Sequence, residues 1–140
     1  MPKRILIMGL PGAGKTYLAE ELRNQITEKG KIVGWINADE VRRYYNDWDF
    51  SIEGRIRQSL RMRQLSEEVN DDYVIVDFIA PLVEMRTNFA PDVTIWVDTI
   101  KSSRYPDTDA MFVPPSTCDM HVTTQDAVRW ASEVVKFLGL

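Results

Sequence analysis

The stretch MGLPGAGKTYLAEEL, Met8–Leu22, decides how the rest of the chain is read. Gly9, Gly14, Lys15 and Thr16 match the pattern G-x-x-x-x-G-K-S/T in full, with Pro11, Gly12 and Ala13 inside it. At average composition those four residue types would fall into that spacing by chance at roughly the one-per-cent level in a chain of this size. The apolar run Ile5–Met8 precedes the pattern and a helix-period segment follows it, which is the context the signature requires. Glycines there let successive backbone N–H groups converge on phosphate oxygens, and the following helix adds its positive end. Lys15 is expected to reach the β- and γ-phosphates, and Thr16 to ligate Mg²⁺ through its hydroxyl. A plain glycine-rich turn would leave a buried lysine poorly compensated. The loop therefore reads as the cradle for a nucleoside triphosphate.

Outward from the loop, short β-branched runs alternate with helix-period segments. Strands are expected near Arg4–Met8, Ile32–Ile36, Tyr73–Asp77, Val93–Val97 and Met120–Val122, and helices near Lys15–Lys29, Asp39–Tyr45, Ile52–Asn70, Leu82–Phe89 and Thr124–Phe137. That alternation predicts an α/β fold, a doubly wound and mostly parallel five-stranded sheet with helices on both faces. Residues 1–140 read as one domain, and 99–118, rich in Pro, Ser, Thr and Asp, as a lid-like loop within it.

Composition narrows the partners. A formal charge of −4, spread along 140 residues, gives no reason to expect duplex nucleic-acid binding or an anionic membrane surface. Asp77 and Pro81 interrupt the most hydrophobic stretch, so no membrane span is expected. Met1–Arg4 leads into a short strand rather than an apolar signal segment, and the one cysteine, Cys118, has no partner for an internal disulfide. A cytoplasmic setting is the expectation.

A phosphate loop leaves the phosphoryl acceptor open. A guanine-reading switch would carry an N/T-K-x-D motif, and the nearest candidate, DTIKSS at Asp98–Ser103, lacks the aspartate. A kinase needs a second anion site and a carboxylate near the transferred group. NADEVRRYYNDWDF, Asn37–Phe50, supplies Asp39 and Arg42 on one helical turn. Arg55, Arg57, Arg61 and Arg63 follow; Arg57 and Arg63 read as a solvated face, while Arg55 and Arg61 are candidates to face an anion, for which the planar guanidinium fork is suited. Asp77, at the end of the buried run YVIVD, is a candidate second partner of Mg²⁺.

The order GLPGAGKT, NADEVR, DWDFSIEGR, DFIAP and WVDT resembles the adenylylsulfate kinase family, whose members phosphorylate the 3′-hydroxyl of adenosine 5′-phosphosulfate (APS) with MgATP. The resemblance runs from about Arg4 to Thr123. It implies that Asp39 lies near Mg²⁺ and the acceptor hydroxyl, that Arg42 and Arg55 hold the phosphosulfate group, and that Phe50 stacks on the acceptor's adenine. Gln58 stands where the family has an asparagine. Phe78, Ile79, Ala80 and Pro81 would form the acceptor wall, with Ala80 replacing a serine, and Asp109–Pro115 would lie near the nucleotide base. The family's basic lid is shortened to Lys101 and Arg104, with Arg104 implied to cover the triphosphate. A homodimer is also implied. Two other classes remain open: a kinase of the same build acting on a nucleoside, a nucleotide or a modified DNA base, and a non-catalytic ATP-binding regulatory module. Trp35 and Trp96 read as core, Trp48 as a possible wall of the acceptor pocket, and His121 as structural or surface.

Overall fold

The computed structural model describes residues 2–140. Its five-stranded sheet comprises β1 (Lys3–Met8), β2 (Val33–Asn37), β3 (Tyr73–Asp77), β4 (Val93–Val97) and β5 (Met120–Val122) in the spatial order β2-β3-β1-β4-β5. Each pairing is parallel, as the strand–helix alternation led one to expect. The helices are α1 (Lys15–Glu28), α2 (Ala38–Tyr45), α3 (Ile52–Glu68), α4 (Val83–Phe89), α5 (Pro106–Met111) and α6 (Ala127–Phe137).

β1 lies at the centre and is apolar on both faces because both are covered. Ile5 and Ile7 pack with Leu18, Leu22 and Ile26 of α1 and with Val134 and Val135 of α6. Leu6 and Met8 point the other way, into a second cluster with Val41, Met62 and Phe89 from α2, α3 and α4. The period-2 alternation of one strand thus feeds two cores. The chain leaves β1 toward the β2 edge and leaves β4 toward the β5 edge, so a crevice opens between two adjacent strands at their C-terminal ends. The phosphate loop occupies it. Gly9 has φ +152°, and a Cβ at that position would overlap the carbonyl oxygen of Val97, so only glycine lets the loop pass this close to β4.

Two boundaries differ from the expectation in ways that bear on the site. The last helix starts at Ala127, not Thr124: Asp126 is its N-cap and accepts from the Arg129 N–H at 3.2 Å, leaving Thr124 and Gln125 on the crevice wall. The 99–118 segment is not loop throughout, because Pro106 at the first helical position starts α5, and the Asp109 carboxylate accepts from the Ser103 N–H and hydroxyl. Six residues are too few to show a helical period.

Gly54, near the start of α3, has its own constraint. A Cβ there would overlap the backbone carbonyl of Asp49, in the loop that carries Phe50. Gly54→Ala should therefore lower stability by about 1–3 kcal/mol through overpacking. Urea unfolding checks this, and an unchanged midpoint would show that the loop yields freely. Among the described residues no helix is long and apolar enough to cross a membrane.

Candidate active site

A cleft of about 1400 Å³ runs along the C-terminal ends of the strands. That exceeds the roughly 300–1,000 Å³ of a single small-ligand pocket. Its lining takes in the phosphate loop, Arg42, Phe50 and Arg55, and also Thr124 and Trp130.

Lys15 Nζ donates to the carbonyls of Gly9 and Leu10, both at 2.9 Å. Burial pushes the Lys15 ammonium down to about 8, against the opposing pull of Asp77 and Asp39. Thr16 and Asp39 are exposed to the cleft. Asp77 is buried, and burial raises its pKa despite the stabilising effect of Trp35, Lys15, Ala38 and Asn37. Its Oδ2 accepts from Trp35 Nε1 at 2.9 Å and its Oδ1 from Asn37 Nδ2 at 2.8 Å. Trp35 is therefore more than a core residue: it orients a carboxylate in the site. Asn37 acts twice, because its Oδ1 also caps α2 by accepting from the Glu40 N–H at 3.1 Å. The spacing Asn37-x-x-Glu40 was a readable helix start; the reach to Asp77 was not.

The residues that fit Mg²⁺ are Thr16, Asp39 and Asp77. They offer hard oxygen donors beside the phosphate loop, while among the described residues no group of three or more His, Cys, Asp or Glu forms a cage of its own. That is the donor set of an ion carried largely by phosphates and water, with one or two carboxylates from the protein.

The side of the cleft that holds Arg42, Phe50 and Arg55 is built from α2, α3 and the loop between them. Arg42 is buried and its Nη1 donates to the carbonyls of Asp47 at 3.0 Å and Asp49 at 3.2 Å. Arg55 is buried too, with Nε on the Phe50 carbonyl at 2.9 Å and Nη2 on Thr108 Oγ1 at 2.7 Å. The Phe50 ring sits 4.3 Å from the Arg42 guanidinium carbon and 5.3 Å from that of Arg55. Two cations thus flank one half-exposed aromatic face. Trp48 stands 6.5 Å away, ring centre to ring centre, on the same rim. Desolvation lowers both arginine pKa values, because both guanidiniums are held partly out of water.

Arg61 does not join them. It donates to Asp47 and to Gln58 Oε1 and lies over Tyr45 on the outer side of α3, because six residues along a helix turn it some 120° away from Arg55. Arg57 pairs with Asp47 and Asp49 on the solvated face, as expected. Gln58 is buried, with Nε2 donating to the Ala38 carbonyl at 3.2 Å, so it braces α3 against the start of α2 at the cleft floor.

Phe78, Ile79, Ala80 and Pro81 line the cleft opposite. Ala80 has φ +48°, a costly conformation for a residue with a side chain. Arg86 holds this turn, donating from Nε to the Ala80 carbonyl at 2.8 Å and from Nη2 to the carbonyls of Pro81 and Val113. Val113 N–H in turn donates to the Pro81 carbonyl at 2.7 Å, which fastens the 109–115 segment to the 78–81 turn. Arg104 is exposed on the cleft rim beside Tyr105. Gly9 lies behind the loop and shapes it without lining the cleft. His121 stacks on Trp96 and bonds Asp98 at 2.9 Å, and burial raises the Cys118 thiol pKa, so neither has the setting of a nucleophile or metal ligand.

Residues 1–99 match the family described as adenylylsulphate kinase. Over 82 residues the chain is 37% identical to the adenylyl-sulfate kinase of Halothermothrix orenii, a match covering 56% of this chain and 44% of that protein. Over 75 residues it is 28% identical to the cytidine diphosphoramidate kinase of Campylobacter jejuni, covering 54% and 44%. The matches thus span less than half the length of these curated relatives. An APS kinase of Mycobacterium tuberculosis solved in complex with AMPPNP and APS shares the fold, with a TM-score of 0.84 at 21% identity over 99% of this chain and 98% of that one.

Proposed function

Because the chain belongs to the adenylylsulphate kinase family, we propose that it transfers the γ-phosphoryl group of MgATP to the 3′-hydroxyl of adenosine 5′-phosphosulfate, releasing ADP. The observation that carries this reading is the single cleft that joins Lys15 to two buried guanidiniums flanking Phe50. In it, the amides of Gly12–Thr16 and Lys15 bind the triphosphate, with Arg104 covering it from the rim. Arg42 and Arg55 hold the phosphosulfate, Phe50 stacks on the adenine, and Gln58 with Phe78–Pro81 closes the acceptor side. Asp39 orients the 3′-hydroxyl for in-line attack. Positioning and charge neutralisation supply the rate, with no covalent enzyme intermediate. Thr16, Asp39 and Asp77 would hold Mg²⁺, which would supply neutralisation of the triphosphate's charge. The chain acts as one kinase unit, with 99–118 as its lid.

The test is ADP release from MgATP with and without adenosine 5′-phosphosulfate, with mass analysis of the products. Stimulated release and one added phosphate on the acceptor support the reading. Binding of ATP without acceptor-dependent release overturns it. A second acceptor class is favoured by the cytidine diphosphoramidate kinase match and by the exposed Arg104 as the cleft's lid arginine: another nucleotide carrying a charged diphosphate-like group. Turnover with cytidine nucleotides but not with adenosine 5′-phosphosulfate would establish it.

A pH dependence follows from Lys15. Its pKa of about 8 in the free protein rises when a triphosphate binds, so the ammonium contributes fully to binding below pH 8 and is lost as pH climbs above it. The dissociation constant of MgATP should increase by up to about tenfold per pH unit above that value, with proton uptake on binding. Calorimetry in buffers of different ionisation enthalpy reads both. Constant affinity from neutral to strongly basic pH would show that Lys15 stays charged throughout.

A further inference from the structure

The bond between Arg55 and Thr108 joins two regions 53 residues apart in sequence, and it is buried at both ends, with Arg55 7% and Thr108 4% exposed. Arg55 Nε is fixed on the Phe50 carbonyl and Nη2 on the Thr108 hydroxyl, and two fixed nitrogens define the plane of a guanidinium. Among the described residues, Nη1 and the second N–H of Nη2 are then left for an incoming anion. Thr108 belongs to α5, which is too short to be stable alone. The segment carrying it is pinned at three places: Thr99 Oγ1 donates to the Ala13 carbonyl in the phosphate loop at 2.6 Å, Thr108 accepts from Arg55, and Val113 N–H donates to Pro81. Arg104 and Tyr105, on the cleft rim, lie between the first pin and the second.

We propose that Thr108 is a positioning residue for the acceptor: its hydroxyl sets the orientation of the Arg55 guanidinium and fastens the lid segment to the acceptor site. This rests on the reading of Arg55 as a ligand of the acceptor's anionic group. Removing the hydroxyl leaves a buried guanidinium N–H unpaired, so Arg55 turns to find another partner and α5 loses its hold on the body. The lid arginine, Arg104, is four residues from the bond and moves with it. One hydroxyl thereby links acceptor binding to the placement of the rim over the triphosphate.

Thr108→Val keeps the shape and removes the hydroxyl; Thr108→Ser keeps the hydroxyl and removes the methyl. The valine variant should raise the KM for adenosine 5′-phosphosulfate about tenfold, the cost of one hydrogen bond to a charged group, while the serine variant stays within about twofold of the parent. Amide hydrogen exchange over 103–112, measured without any substrate, should be about tenfold faster in the valine variant and near the parent rate in the serine variant. Equal exchange in parent and valine variant, or serine failing to rescue, overturns the proposal. If the parent protein does not use adenosine 5′-phosphosulfate but the exchange pattern holds, the acceptor reading falls and the Thr108 bond stands. If the acceptor is used and its KM ignores the valine change, the positioning role falls alone.

Discussion

Lys15→Ala is expected to cut kcat by about 1,000-fold or more, the scale of losing a preorganised charge aimed at the transferring group. In the free protein Lys15 Nζ rests on the carbonyls of Gly9 and Leu10, so the ammonium is held inside the loop. Its depressed pKa shows that the fold carries this charge at a cost. Removing it therefore relieves a desolvated cation, and the thermal midpoint should not fall by more than a few degrees. Loss of turnover with a retained midpoint separates a chemical role from a structural one. If the variant keeps near-normal turnover, the loop is not the site of transfer. Weaker MgATP binding should accompany the loss, because part of the interaction is already made in the ground state.

The second large effect separates the two carboxylates. Asp39→Asn should lower kcat by about 100- to 10,000-fold, the range for a group that orients a reacting proton, with little change in stability because the residue is exposed. Asp77→Asn should act differently. Asp77 is fixed by Trp35 and Asn37, so an asparagine there loses one accepted bond and the charge facing Lys15. The Mg²⁺ concentration giving half-maximal rate should rise about tenfold, as expected when a ligating carboxylate or its orienting partner is lost. Titrating Mg²⁺ against initial rate in both variants reads the division of labour. If Asp39→Asn shifts the Mg²⁺ curve more than Asp77→Asn does, Asp39 is the main metal partner of the two.

Much of this site is legible in residue order because it is local. The phosphate loop is eight consecutive residues whose glycines, lysine and threonine each have one job. Asp39 and Arg42 share a helical turn, and both reach the cleft. The pairing of Arg55 with Arg61 fails for an equally local reason: the helical period turns the two apart, and Asp47 takes Arg61. The short α5 escapes notice because its start rests on Pro106 and on the Ser103–Asp109 contact rather than on any period.

By itself, then, the sequence determined the strand–helix alternation, the phosphate cradle and the identity of the groups able to bind anions. These depend on periodicity, on glycine's backbone freedom and on charge, all properties of neighbours along the chain. Only the tertiary structure decided which groups hold which. Asn37 faces Asp77 because β2 lies beside β3 in register, Thr108 meets Arg55 because the 99–118 segment folds back onto α3, and Arg86 gathers the carbonyls of Ala80, Pro81 and Val113. Such bonds span up to 53 residues and are selected by strand order and by the cost of leaving buried polar groups unpaired, which act only once the whole sheet has assembled.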